Sequence, residues 1–291
     1  MKLTYYPGCS LHSTGCEYDA SARFVCKQLG IELVELEDWN CCGASPGHST
    51  NHFLGIALPL RNLILAEKYE NAVMAPCAAC YNLLKSADYL VRSQDAAARQ
   101  VNTELEPIMG TKYQATLKVC HPLEILSSPE WLQAIGRQVV RPLTGLKVAA
   151  YYGCLLSRPK AVVAFDNPEQ PTRMDMLLSA LGAEVRRWSY KTDCCGGALS
   201  LSQTKAVETL VAKLVTEARR AGAEAIVTAC PLCQVNLDTR QTTAGGSMPV
   251  FYFTELMGIS FGAANTEEWL QKHIIDPRPV LAAQRKGSGI R

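Results

Sequence analysis

Two short stretches of this 291-residue chain place cysteines side by side ahead of a glycine: Asn40-Cys41-Cys42-Gly43 and Asp193-Cys194-Cys195-Gly196. In an extended strand, neighbouring side chains point to opposite faces, so adjacent thiols there cannot serve one ligand. A tight, irregular loop can turn both inward, and Gly43 supplies the backbone freedom for it. Thirty-four residues after each pair comes a Cys-x-x-Cys, formed by Cys77 and Cys80 and by Cys230 and Cys233. Before each pair stands a lone cysteine after glycine, Cys9 or Cys154, with 31 and 39 residues intervening. One Cys-x-x-Cys is weak evidence of anything, whereas two copies of a five-cysteine pattern mark an internal duplication. Cys77 and Cys80, three apart at a strand-to-helix turn, converge by helical geometry. Helix-start N–H groups there favour thiolate over thiol. Structural zinc takes four ligands and a cubane iron–sulfur cluster takes four cysteines, so a fifth sulfur is surplus to either. The pattern therefore predicts a metal group with an unusual ligand demand, with two structural zinc sites as the alternative.

The rest of the composition narrows the classes. Hydrophobic residues make up 48% and charged residues 19%, as in an ordinary globular protein long enough for two domains. A net charge of +2 gives no strong pull on nucleic acid or anionic membrane, so neither is expected as a partner. Residues 1–8, MKLTYYPG, carry one lysine and no apolar run, which does not read as a signal peptide. No stretch approaches the roughly 20 apolar residues of a membrane span, so membrane insertion is not expected and a cytoplasmic location is. Thirteen cysteines, an odd number, in a chain without an export signal argue against a disulfide scaffold.

The elements that must carry these cysteines alternate between strand and helix. Residues 2–9 (KLTYYPGC) and 146–154 (LKVAAYYGC) read as β runs ending at Gly-Cys. Second strands are read at 31–36 and 183–188, third strands at 71–77 and 224–233, and fourth strands at 116–122 and 248–256. Val207, Leu210, Val211, Leu214, Val215 and Ala218 repeat at helical spacing, predicting a helix over 205–221. The matching helix of the first half is expected to start near Ser49 or Thr50, good N-cap residues. Strand–helix alternation predicts an α/β fold of two pseudo-symmetric halves, each a small, mostly parallel sheet with flanking helices. The halves are read as residues 1–140 and 141–291, the second including a C-terminal tail. In such units ligands gather beyond the carboxyl ends of the strands, so each half is expected to bring five sulfurs to one rim. The tail, 278–291, rich in Pro, Gly and basic residues, is read as a mobile end or docking strand.

The cysteine pattern, from about residue 5 to 257, is similar to the duplicated CCG domain found in the B subunit family of heterodisulfide reductase. That resemblance implies two non-cubane 4Fe-4S clusters, each built from smaller units sharing an iron and a sulfide. It assigns Cys9, Cys41, Cys42, Cys77 and Cys80 to one cluster and Cys154, Cys194, Cys195, Cys230 and Cys233 to the other. It further implies a small disulfide or thiol substrate, of the coenzyme M–coenzyme B type or another, held between the clusters and split reductively. Electrons would arrive through the iron–sulfur C subunit of such a complex from its flavin-bearing A subunit, so FAD would sit on a partner alone. The alternative is a CCG-domain subunit of a related redox complex, in sulfur oxidation or as a relay for succinate, glycolate or lactate oxidation. The chain lacks the appended ferredoxin-type cysteine motifs of several fused relatives, which favours a stand-alone subunit.

Beside Cys42 and Cys195, two histidines are candidate catalytic groups. His48 follows the first pair within a dozen residues and has no counterpart in the second half, and a proton donor to one product thiolate is one reading. His121, in CHPLEIL, is read as lining the substrate cleft at a strand's carboxyl end near the junction of the halves. His52 reads as capping or surface, and Arg158 and Lys160 as solvated charges or contacts to an anionic substrate. Cys16, Cys26 and Cys120 fall outside the pattern and are read as buried, inert thiols.

Overall fold

A computed structural model describes residues 1–44, 47–69, 72–241 and 247–287, with the side chains of 48, 49 and 284–287 outside the description. The described residues form two four-stranded sheets of identical construction. The first contains β1 (Lys2–Tyr5), β2 (Glu32–Glu35), β3 (Val73–Met74) and β4 (Val119–Cys120), in spatial order β2-β1-β3-β4. The second contains β5 (Lys147–Tyr151), β6 (Glu184–Val185), β7 (Ala225–Thr228) and β8 (Val250–Tyr252), in order β6-β5-β7-β8. Every one of these pairings is parallel, with Lys2 opposite Glu32, Thr4 opposite Val73 and Val148 opposite Ala225. The sheets are thus wholly parallel where mostly parallel ones were expected.

Sequence explains the central strands. β5 and β7 (KVAAY and AIVT) are short, apolar and buried along nearly their whole length, as strands covered by helices on both faces must be. Each half leaves its first strand, builds an edge strand, then crosses back to the far side. That reversal opens a crevice at the carboxyl ends between β1 and β3, and between β5 and β7, where ligands bind in such sheets. Cys9 follows β1 and Cys77 follows β3, while Cys154 follows β5 and Cys230 follows β7.

The expected helix over 205–221 is found as Thr204–Arg220. Its first-half counterpart is displaced: His52–Glu67 begins after an N-cap at Asn51, whose side chain accepts the Phe53 N–H at 2.7 Å. Asn51 outcompetes Ser49 and Thr50 because those residues lie inside a preceding short helix, Gly47–Thr50. The tail is also corrected. Its described part is a helix, Arg278–Gly287, with Leu281 buried, because one apolar side chain suffices to seat an amphipathic turn on the body.

The two sheets share one continuous apolar core. The helix Cys16–Gln28 of the first half packs against Phe253–Ser260 and Thr266–Leu270 of the second. Gly258 lets Thr266–Leu270 close onto Phe253–Ser260, since a Cβ there would meet Trp269 Cζ3 at 2.5 Å, and Phe24 of the first half packs edge-on against that Trp269 ring at 5.8 Å. Next to this interface lies a buried ion pair, His273 Nε2 to Glu255 Oε1 at 2.9 Å, with neither side chain exposed. Burial alone would lower the histidine, but the charge and hydrogen bond of Glu255 override it and lift His273 to about 9. An unfolded histidine titrates near 6.5, so the proton is held more tightly in the fold. Its contribution is complete below pH ~6.5 and is lost as pH rises through about 9. Thermal unfolding should therefore show stability falling between pH 7 and pH 9.5 by up to about 3 kcal/mol. His273→Gln should be less stable at pH 6 and lose most of that slope; an equally steep slope in the variant would refute the assignment.

Candidate metal centre

The ten pattern cysteines stand as one row that crosses from the first half to the second. Cys9 Sγ lies 3.9 Å from Cys41 Sγ, and Cys42, the next residue, reaches Cys80 at 3.2 Å. The Cys77 thiol lies close enough to Cys80 and, across the halves, to Cys230 to interact electrostatically with both. Beyond that seam the order repeats in mirror sense: Cys230 interacts with Cys233, Cys233 lies 3.5 Å from Cys195, and Cys194 lies 3.9 Å from Cys154. Cys77, Cys80, Cys230 and Cys233 are buried at the middle, while Cys9, Cys41 and Cys194 are exposed and Cys154 is half-buried towards the ends.

The doubled cysteine works by division of labour. Cys42 and Cys195 point inward, while Cys41 and Cys194 face outward. Gly43 and Gly196 have φ of +80° and +78°, a left-handed turn that glycine adopts without steric cost. That turn aims backbone N–H groups at the sulfurs: Gly43 N reaches Cys41 Sγ at 3.4 Å and Gly196 N reaches Cys194 Sγ at 3.2 Å. Ala44 and Gly197 do the same for the inner sulfurs. A second glycine pair sits ahead of the lone cysteines. Gly8 and Gly153 both have φ +68°, and a Cβ there would meet Cys80 Sγ at 2.9 Å or Cys233 Sγ at 3.2 Å.

Protons are shared along the row, because adjacent thiolates repel. Interactions with the Cys41 and Cys80 thiols outweigh burial and bring Cys42 down to about 4. The hydrogen bond from Cys154 holds Cys194 at about 6, against its burial. Cys195 is lowered by Cys233, and Cys230 is lowered by Cys233 and Cys77. Their partners move the other way: Cys41, Cys77, Cys80, Cys154 and Cys233 are all raised, each first by a neighbouring cysteine sulfur. Without added positive charge, only part of the row can ionise; metal cations replacing the shared protons would release the rest. Among the described residues no three Cys, His, Asp or Glu side chains gather as a site for one ion. All-sulfur donors strung along a rim fit polynuclear metal groups better than a single tetrahedral ion.

Supporting residues were missed in the sequence. Tyr6 Oη donates to Asn40 O at 2.8 Å and Tyr151 Oη to Asp193 O at 2.6 Å, so each tyrosine pins the residue before a cysteine pair. The signal was present: each tyrosine stands two residues before its Gly-Cys. Asn62 grips Asn40 at both its N–H and its carbonyl, and Asn236 donates to Cys195 O. His12, also missed, is exposed near the first rim, edge-on to Trp39 at 5.2 Å and 3.1 Å from Glu35.

The predicted histidines separate. His121 caps the helix Pro122–Leu126 just past β4 and is fully buried at the junction of the halves. Burial, opposed by bonds to Pro76 and Ala229, holds it down at about 4. The backbone of His48 lies in Gly47–Thr50, but its side chain falls outside the described residues. His52 is exposed at the start of its helix. Arg158 is paired with Glu169 at 2.6 Å, and Lys160 is exposed. Cys26 and Cys120 are buried, each pushed up to about 12 by burial. Cys16 is a correction: it opens its helix on the exposed side, because Glu17 takes the inward position.

The chain matches the cysteine-rich domain family called CCG twice, over residues 3–85 and 148–238. It is 30% identical to the 8-methylmenaquinol:fumarate reductase membrane anchor subunit of Wolinella succinogenes, over 94% of this chain and 97% of that one. It is 28% identical to the B subunit of the ferredoxin/F(420)H(2)-dependent CoB-CoM heterodisulfide reductase of Methanosarcina acetivorans, over 97% and 96%. Lactate utilization protein A 1 of Bacillus mycoides is 22% identical over 88% of this chain and 96% of its own. A solved structure of a hypothetical protein from Helicobacter pylori superposes with a TM-score of 0.74 at 11% identity, over 94% of this chain. The chain spans about half the length of that one (51%), and the likeness is one of fold. Among the described residues no helix is long and apolar enough to cross a membrane.

The glycine geometry is testable. Gly110 has φ +76°, and a Cβ at that position would meet nothing within 4 Å, so Gly110→Ala suffers only backbone strain, about 1–2 kcal/mol. Gly8→Ala adds the collision with Cys80 and should lose measurably more in chemical unfolding. Equal losses would show that Cys80 moves aside freely.

Proposed function

Since the chain belongs to the cysteine-rich CCG-domain family, we propose that it is a redox subunit of a multisubunit complex whose ten row cysteines hold two non-cubane 4Fe-4S clusters and act on a small disulfide. Cys9, Cys41, Cys42, Cys77 and Cys80 would hold one, and Cys154, Cys194, Cys195, Cys230 and Cys233 the other. The observation that carries this reading is the matched set of sulfur contacts, Cys9 to Cys41 and Cys42 to Cys80 in the first half and Cys154 to Cys194 and Cys195 to Cys233 in the second. When bound, such clusters supply single electrons and iron sites able to accept a thiolate.

The chain's own residues do the rest. The Gly43 and Gly196 turns present N–H groups to the sulfurs, and such hydrogen bonds tune a cluster's potential. The buried inner cysteines keep water from the middle of the row, while the exposed ends leave access for substrate. Reductive cleavage of one S–S bond consumes two electrons and, for two thiol products, two protons. Electrons would come from an iron–sulfur partner fed by a flavoprotein. Cytoplasmic residence belongs to the same proposal.

A second reading is electron relay beside fumarate or succinate chemistry, with no disulfide. Similarity to the Wolinella protein along nearly its whole length favours it.

Anaerobically purified protein should contain about eight iron atoms per chain with matching acid-labile sulfide. Cys42→Ser and Cys195→Ser should each lose iron and abolish cleavage of the coenzyme M–coenzyme B heterodisulfide by reduced viologen. About two zinc and negligible iron per chain would reject the cluster reading. Full iron without disulfide cleavage, but with electron transfer to fumarate when partner proteins are added, would select the relay.

A further inference from the structure

The junction of the halves is closed by two donors that share two acceptors. Tyr18 Oη lies 3.3 Å from Pro76 O and 3.2 Å from Ala229 O. His121 Nε2 lies 2.7 Å from Pro76 O and 3.1 Å from Ala229 O. Both side chains are fully buried. The Leu123 N–H donates to His121 Nδ1 at 3.1 Å, so Nδ1 accepts and the ring hydrogen sits on Nε2. A neutral imidazole and a phenol thus converge on the same pair of carbonyls.

Those carbonyls belong to the residues immediately before Cys77 and Cys230, so the shared donors hold these two cysteines beside each other at the seam. Two carbonyl oxygens from different halves repel when brought together, unless donors stand between them. The arrangement is not a product of the duplication. Tyr252, which caps the helix after β8 as His121 caps the helix after β4, makes no such bond. It stacks on Tyr18 at 4.2 Å and 7°, and its own hydroxyl has no partner. Both donors therefore come from the first half and hold an acceptor of the second.

We propose that Tyr18 and His121 form a clamp that sets how closely the two cysteine sets approach at Cys77 and Cys230, and with it the electronic coupling of the groups those sets hold. His121 is then a positioning residue, with both ring nitrogens engaged and no opening to substrate. The coupling half of the inference rests on the cluster reading; the clamp itself does not.

The test uses Tyr18→Phe and His121→Phe, singly and together, in the full chain. In anaerobically loaded protein, iron content should match wild type, because no ligand is removed. Each single variant keeps one donor spanning both carbonyls and should change the spectra little. The double variant should lose the spin–spin interaction between reduced centres seen by low-temperature EPR. His121→Gln, which retains an N–H donor, should restore that interaction when paired with Tyr18→Phe. A folded double variant with wild-type interaction overturns the proposal.

A second arm needs no metal. In the metal-free full chain, mild oxidation should join Cys77 to Cys230, and peptide mass spectrometry reads the yield. The double variant should lower that yield about fivefold, the factor that about 1 kcal/mol of lost hydrogen bonding gives. The Cys42–Cys80 link inside the first set, 3.2 Å apart, should stay unchanged. Equal Cys77–Cys230 yields, or a parallel fall in both links, overturn the clamp. Loss of the seam link in a chain that takes up no iron would sink the cluster reading and leave the clamp standing.

Discussion

Thiolates brought within 3.2–3.9 Å of one another repel, and the rest of this structure is arranged around that repulsion. Ten neighbouring sulfurs can share protons, so that Cys80 and Cys233 rise while Cys42 and Cys230 fall. Backbone N–H groups from the two glycine turns supply a further share of positive potential. Neither device suffices to ionise every sulfur. The row is complete as a thiolate set only when cations occupy it, which is why its chemistry points to metal and not to packing.

The fold serves that constraint by repeating itself. Each sheet places its first and third strands side by side, and the reversal between them collects the lone cysteine and the Cys-x-x-Cys at one crevice. The edge strand then delivers the cysteine pair to the same rim. Duplication yields two crevices, and packing of Cys16–Gln28 against Phe253–Ser260 brings them together. The copies are not equal. Asn40 stands where the second half has Asp193, and the loop anchor comes from Asn62 in one half and Asn236 in the other.

Relatives in the family are named for heterodisulfide reduction, for quinol–fumarate reduction and for lactate utilization. What they share with this chain is the double cysteine frame. The exposed sulfurs of the frame are Cys9, Cys41 and Cys194. In this chain that zone carries His12 against Trp39 in the first half and Arg158, held by Glu169, in the second.

The ten cysteines, their division into two sets and the alternation of strand and helix were legible in the chain, because spacing and periodicity are local properties. So was the use of glycine after each pair, since glycine adopts a left-handed turn without the strain a side chain brings. The N-cap at Asn51 and the helical tail were not, since a neighbouring short helix and a single buried leucine decided them. Sequence placed His121 past a strand at the junction of the halves but read it as lining a substrate cleft, whereas full burial against two carbonyls makes it a neutral donor there. The meeting of Cys77 with Cys230, 153 positions apart, belongs to tertiary structure alone. Contacts between halves depend on how two finished sheets pack, and no local pattern encodes that.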